Sequence, residues 1–160
     1  MAIVAASPKT PLALDNDVFT DWRKHRQGVG LAIKDYKARF KEFPKLTSIT
    51  VFEARWGFES QVVKFGGLDP ETEQMRSEME ELIQTCGVLD FDQHAASIAA
   101  HIFARLSQSH RNRHWRDILI AATALAHGYG VATRNKDDFE LIGRDLPDLS
   151  PTLYLAIWKP

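Results

Sequence analysis

Cysteine is almost missing: Cys86 stands alone among 160 residues, so no intramolecular disulfide can form. The fold must therefore be held by burial and hydrogen bonding, in keeping with a reducing compartment. No apolar stretch approaches the ~20 residues of a membrane helix, and residues 1–10 lack the apolar segment of a secretory leader. The expectation is a soluble, cytoplasmic protein with no membrane association. An excess of either charge is also absent, because 20 Lys and Arg face 21 Asp and Glu, for a formal net charge of −1. The chain as a whole exerts no strong pull on nucleic acid, so any such binding must come from a local basic patch or from a partner. Repeats, low-complexity tracts and long linkers are missing too. What remains is one ordinary globular domain, long enough to bury a core without a structural metal.

Residues 1–10, with Pro8 close by Pro11, read as a frayed N-terminal extension, and residues 11–160 as a single domain. Leu12-Ala13-Leu14 is a short apolar strand that stops at Asp15-Asn16-Asp17. A helix is expected from Val18, broken near Gly28-Val29-Gly30, resuming at Leu31 and ending before Pro44. Leu46 to Thr50 reads as a second strand. Thr50 and Glu53 have the spacing of a capping box for the helix that follows. An acidic helix begins after Asp69-Pro70 and stops at Gly87, and Val88 to Phe91 forms a third strand. Ala95, Ile98, Ala99, Ile102, Phe103 and Leu106 mark one face of an amphipathic helix. Ser107 to His114 reads as a polar loop leading to an Ala-rich helix from Asp117 to His127. Val131-Ala132-Thr133 and Leu153 to Trp158 complete the strands. Strands alternating with helices imply an α/β fold with a mainly parallel sheet covered on both faces.

Ligands of such sheets bind beyond the carboxyl ends of the strands. Asp15, Glu53, Asp117 and the segment Asn135 to Asp138 all fall where a strand gives way to a helix. Carboxylates gathered without matching Lys or Arg need a cation, and an all-oxygen donor set favours Mg²⁺ or Mn²⁺ over zinc. A plainer account makes Asp15, Asp117 and Asp138 helix N-caps, worth about 1 kcal/mol each. Spacing alone leaves both accounts open.

Resemblance adds to this. Asp15-Asn16-Asp17-Val18 resembles the opening motif of PIN domains, and Ser48 to Glu53 is similar to their second motif, which ends in a metal-binding Glu. Asp117-Ile118-Leu119-Ile120-Ala121-Ala122-Thr123-Ala124, followed by Thr133-Arg134-Asn135 and Asp138-Phe139, closely resembles the signature of VapC-type toxins. Leu89 to Asp92 is similar to the connecting segment. The match runs collinearly over roughly residues 12 to 145, and four motifs in order are far more specific than one. The resemblance implies a three-layer α/β/α sandwich with a mainly parallel central sheet. It also implies a Mg²⁺- or Mn²⁺-dependent endoribonuclease with metal-binding Asp15, Glu53 and Asp117. The fourth ligand is either Asp138 or, through water, Asn135, with Thr133 supporting that corner. Asn16 departs from the usual Ser or Thr. A small VapB-like antitoxin and a homodimer are the implied partners.

Arg134, Arg113 and Arg116 are the candidate contacts to RNA phosphates, and Trp115 either stacks on a base or packs down. Trp22, Tyr36 and Trp56 are candidates for meeting protein partners, although core packing accounts better for Trp56. His110 and His114 have a spacing that can bind zinc, but no third ligand is evident and no zinc site is expected. Cys86 reads as a buried thiol. Two other functions fit parts of the pattern. A haloacid-dehalogenase-like phosphatase would use Asp15 as nucleophile and Asp17 as acid, but would leave Glu53 and Asp117 unexplained. A non-catalytic PIN-type module would bind RNA or protein without holding a metal.

Overall fold

The computed structural model describes residues 1–144 and 151–160. Six strands form one sheet: β1 (Ala2–Ala5), β2 (Leu12–Leu14), β3 (Lys45–Thr47), β4 (Val88–Leu89), β5 (Gly130–Thr133) and β6 (Thr152–Ile157). Their spatial order is β1-β6-β5-β2-β3-β4, and every neighbouring pair is parallel. Seven helices connect or flank them: α1 (Asn16–Arg23), α2 (Gln27–Phe40), α3 (Ser48–Phe65), α4 (Pro70–Cys86), α5 (Gln93–Arg105), α6 (Gln108–Ala126) and α7 (Lys136–Arg144).

Parallel strands buried on both faces read as continuous apolar runs, and β2 and β5 are buried throughout. Neighbouring residues of β5 point to opposite sides. Ala132 joins a core with Phe19, Tyr36, Leu46, Phe58 and Met79 from the α1–α4 side. Val131 joins a second core with Ile102, Ile118, Ile120, Phe139 and Ile142 from α5, α6 and α7. The result is the expected three-layer sandwich. Cys86 is buried in the first core, where burial pushes its thiol up to about 12, so it is an inert packing residue.

Three local expectations are corrected. Residues 1–10 are not frayed: β1 runs along β6, with Ile3 beside Leu153, and Met1 is buried against the second core. A Cβ on Gly143 would come within 2.4 Å of the Ile3 side chain, so α7 lies directly against β1. The first helix breaks at residues 24–26, not at Gly28 and Gly30, which lie inside α2. Gly28 is there because the C-terminal backbone crosses it, with Lys159 O only 2.4 Å from where a Cβ would stand. The polar run 107–114 is not a loop. Ser107 caps α6 by accepting from His110 N–H, and the helix continues through a single non-helical residue, His114 (φ −113°, ψ 17°).

Because β1 pairs along the edge of β6, packs half-buried Ile3 against the second core and positions buried Met1, deleting residues 2–6 should cost about 2 kcal/mol or more. Urea denaturation monitored by circular dichroism checks this; an unchanged midpoint would return these residues to the status of a lead-in.

Candidate metal and phosphate site

Asp15 is the first residue beyond β2. Its N–H donates to Ala132 O (3.0 Å), continuing the β2–β5 ladder, and its carbonyl accepts from Phe19 N–H at 3.0 Å. Its side chain caps α1, with Oδ1 accepting from Val18 N–H at 3.0 Å, and Oδ2 accepts from the Thr133 hydroxyl at the end of β5. That hydroxyl also accepts from Asn135 N–H at 2.9 Å. The N-cap account of Asp15 is thus correct and incomplete, since the same carboxylate faces a cavity. Asp117 and Asp138 are not caps: the first lies within α6 and the second in the opening turn of α7.

Glu53 arrives by a different device from the expected capping box. Thr47 caps α3 by accepting from Thr50 N–H at 3.1 Å, and Thr50 Oγ1 donates to Leu14 O at 3.0 Å. These buried bonds pin the start of α3 to the end of β2, which turns Glu53 toward Asp15.

The four expected carboxylates, Asp15, Glu53, Asp117 and Asp138, line one cavity of about 280 Å³ together with Asn16, Asn135, Arg113 and Arg116. Asp17, expected only under the phosphatase account, lines it as well. Five carboxylates therefore face two guanidiniums, and one of these, Arg116, is already paired with Glu53 at 3.3 Å. Burial pushes Asp15 up from 3.8 to about 7, with Asp17 and Asp117 adding repulsion against the lowering effect of the Thr133 and Val18 hydrogen bonds. Burial also raises Glu53, opposed by Arg116. Asp117 is raised by burial and then by Asp138, while His114 acts the other way. Buried carboxylates that resist ionisation for want of cations are a donor set that a divalent ion fits.

The other candidate residues divide. Arg134 does not line this cavity. It reaches back to Asp21 (2.9 Å) and Asp17 (3.5 Å), an ion pair that braces α1 against the end of β5. Asn135 donates its amide to Asp17 at 2.7 Å. The Asn16 amide oxygen is buried and finds no hydrogen-bond partner among the described residues. Trp115 is half-buried with the Arg116 guanidinium 5.3 Å from its ring centre. His114, set aside in the sequence, is 3% exposed, and its Nδ1 lies 3.5 Å from Asp117 Oδ2 and 3.8 Å from Asp138 Oδ1. Its i, i+3 spacing to Asp117 was the available signal, hidden by the basic residues around it.

A sequence model of the PIN domain family matches residues 12–145. The chain belongs to the PIN domain family. It is 35% identical over 137 residues to the VapC ribonuclease Y4jK of Sinorhizobium fredii, covering 84% of this chain and 94% of that relative. The fold resembles VapBC2 from Rickettsia felis bound to a promoter DNA fragment, with TM-score 0.66 and 17% identity over 92% of this chain and 98% of that one. It also resembles DNA-bound VapBC from Salmonella typhimurium, with TM-score 0.65 and 20% identity over 94% and 99% of the two chains. No described helix of this PIN domain is long and apolar enough to cross a membrane.

The raised Asp15 has a thermodynamic consequence. Between about pH 4 and 7 the folded protein keeps a proton that the unfolded chain releases, so without divalent ions stability falls as pH rises through that window and levels off above it. Glu53 and Asp117 act with the same sign. Urea midpoints in EDTA from pH 4.5 to 8 should show this decline, and Asp15→Asn should flatten it; identical pH profiles for the two proteins would contradict the burial argument.

Proposed function

We propose that this chain is the toxin of a VapBC-type pair and hydrolyses RNA phosphodiester bonds, with Mg²⁺ or Mn²⁺ held by Asp15, Glu53, Asp117 and Asp138. The observation that carries the reading is the uncompensated charge: five carboxylates line one 280 Å³ cavity at the carboxyl end of a parallel sheet. Once Glu53 pairs with Arg116 and Asp17 with Arg134, Asp15, Asp117 and Asp138 are left without an Arg or Lys partner among the described residues. A divalent cation held there supplies Lewis acidity, stabilising charge on a phosphate and making water more acidic. The residues of the chain do the rest. Thr133 and Val18 N–H fix the Asp15 carboxylate. Asn135 and Arg134 hold Asp17 at the rim. Arg116 and exposed Arg113 stand at the mouth, where a guanidinium meets a phosphate, and Arg116 exchanges Glu53 for that phosphate when RNA enters.

The haloacid-dehalogenase-like alternative is not favoured: both Asp15 oxygens are held by hydrogen bonds, and Glu53 and Asp117 have no part in that chemistry. A non-catalytic module is not favoured either, because the acidic set is complete.

Two surfaces suit the partners of a cytoplasmic toxin. A cavity of about 680 Å³ between α1, α3 and α4 shares Asn16 and Glu53 with the acidic site and is floored by Phe58, Met79 and Leu82. A VapB-like antitoxin seated there would cover both. Trp56, assigned to the core on sequence, is instead 52% exposed and stacks on exposed Phe52 at 5.9 Å, while Tyr36 is fully buried and Trp22 packs on Phe43. Val88 borders the same hollow as Phe52 and Trp56, and this apolar face suits a second copy of the chain.

Purified protein should cut a labelled structured RNA pool with Mg²⁺ or Mn²⁺, lose the activity in EDTA, and lose about 100-fold or more in Asp117→Asn. Cutting that survives either change would remove the carboxylate mechanism, and hydrolysis of phosphate monoesters alone would revive the phosphatase. Trp56→Glu should shift sedimentation toward monomer with less than about 0.5 kcal/mol change in stability; an unaltered oligomeric state would place the dimer face elsewhere.

A further inference from the structure

His114 stands beside Asp117 and Asp138 of the acidic site without lining its cavity, and its position is built rather than incidental. The non-helical turn at this residue interrupts α6 and buries the ring between α6 and α7. Its Nδ1 faces Asp117 Oδ2 and Asp138 Oδ1 at 3.5 and 3.8 Å, too far for good hydrogen bonds. The three ligand atoms lie within 4.8 Å of one another. Ligands at about 2.1 Å from one ion stand roughly 3.0 to 3.6 Å apart. A small closure of this triangle is all that an ion requires. The ring's other nitrogen, Nε2, is buried without a hydrogen-bond partner among the described residues. Ligation through Nδ1 moves the ring proton from the side facing the two carboxylates to Nε2, where no acceptor stands among the described residues, so the imidazole coordinates at a cost.

We infer that His114 Nδ1 is a metal ligand, completing with Asp117 and Asp138 a mixed nitrogen–oxygen site for a transition-metal ion such as Mn²⁺. The inference rests on the metal-site reading above and goes beyond it in ligand and in metal. Imidazole suits first-row transition metals better than Mg²⁺, which is bound through oxygen. The lack of an outer hydrogen bond on Nε2 makes the imidazole the weakest-held ligand of the three. His114 accordingly sets the preference between metals, while the carboxylates supply most of the affinity.

The test uses full-length protein without a histidine tag, with Mn²⁺ alone as the probe. Pulsed electron paramagnetic resonance of bound Mn²⁺ should show modulation from a coupled ¹⁴N, replaced by the ¹⁵N pattern when wild-type protein is made with ¹⁵N-histidine. His114→Gln should abolish the coupling and weaken Mn²⁺ binding about tenfold, with a change in Mg²⁺ binding of less than about twofold. Because the chain has six histidines, His110→Gln is the control: it should keep the coupling, and loss of the coupling there would move the ligand off His114. Bound Mn²⁺ without histidine coupling overturns this inference and leaves the carboxylate nuclease standing. No Mn²⁺ binding at all, in wild type and Asp117→Asn alike, overturns both.

Discussion

A buried carboxylate between two strands organises this protein. Asp15 continues the β2–β5 ladder with its N–H, caps α1 with one oxygen and accepts from Thr133 with the other. Sheet register, helix start and site geometry thus meet in one side chain that is 4% exposed. Removing a carboxylate from water is costly unless it is paired, and no Lys or Arg is paired with Asp15 among the described residues. Burial therefore pushes it up to about 7 in spite of its hydrogen bonds to Thr133 and Val18.

The surrounding ion pairs explain why the cost persists. Arg134, immediately after Thr133, is committed to Asp21 and Asp17, and Arg116 is committed to Glu53. These guanidiniums stiffen the rim while leaving Asp15, Asp117 and Asp138 without a counter-charge. A site arranged this way trades folding stability for cation affinity, a common exchange where function demands crowded charge. The sheet tolerates it because the two apolar cores, divided by alternating Val131 and Ala132, lie on either side of the strands and do not depend on the acidic end.

Much of this was legible in the sequence, and the exceptions have physical causes. Five of the six strands and the alternation of helices follow from apolar periodicity, while the grouping of Asp15, Glu53, Asp117 and Asp138 came only with the resemblance to PIN motifs. β1 escaped because its run Ala2-Ile3-Val4-Ala5, exposed except for half-buried Ile3 and soon followed by Pro8, carries no alternation of apolar and polar residues. Gly28 and Gly30 read as breakers, since their helix penalty is local whereas the C-terminal backbone that requires Gly28 comes from residues 159 and 160. The helix over residues 108–114 was masked by its polar surface. With it went His114, whose burial depends on a kink that no spacing rule encodes. The Arg134–Asp21 pair was not legible because its partners are neighbours only in three dimensions, 113 residues apart.

The central claim is that a divalent cation replaces the protons that burial, with like-charge repulsion added, favours on these carboxylates. Calorimetric titration of Mg²⁺ or Mn²⁺ at pH 6.5, in two buffers of different ionisation enthalpy, measures that exchange directly. The account predicts release of up to about one proton per ion bound, disappearing near pH 8.5, because binding deprotonates Asp15, which burial pushes up to about 7. Binding without proton release at pH 6.5, or no binding at all, would contradict it.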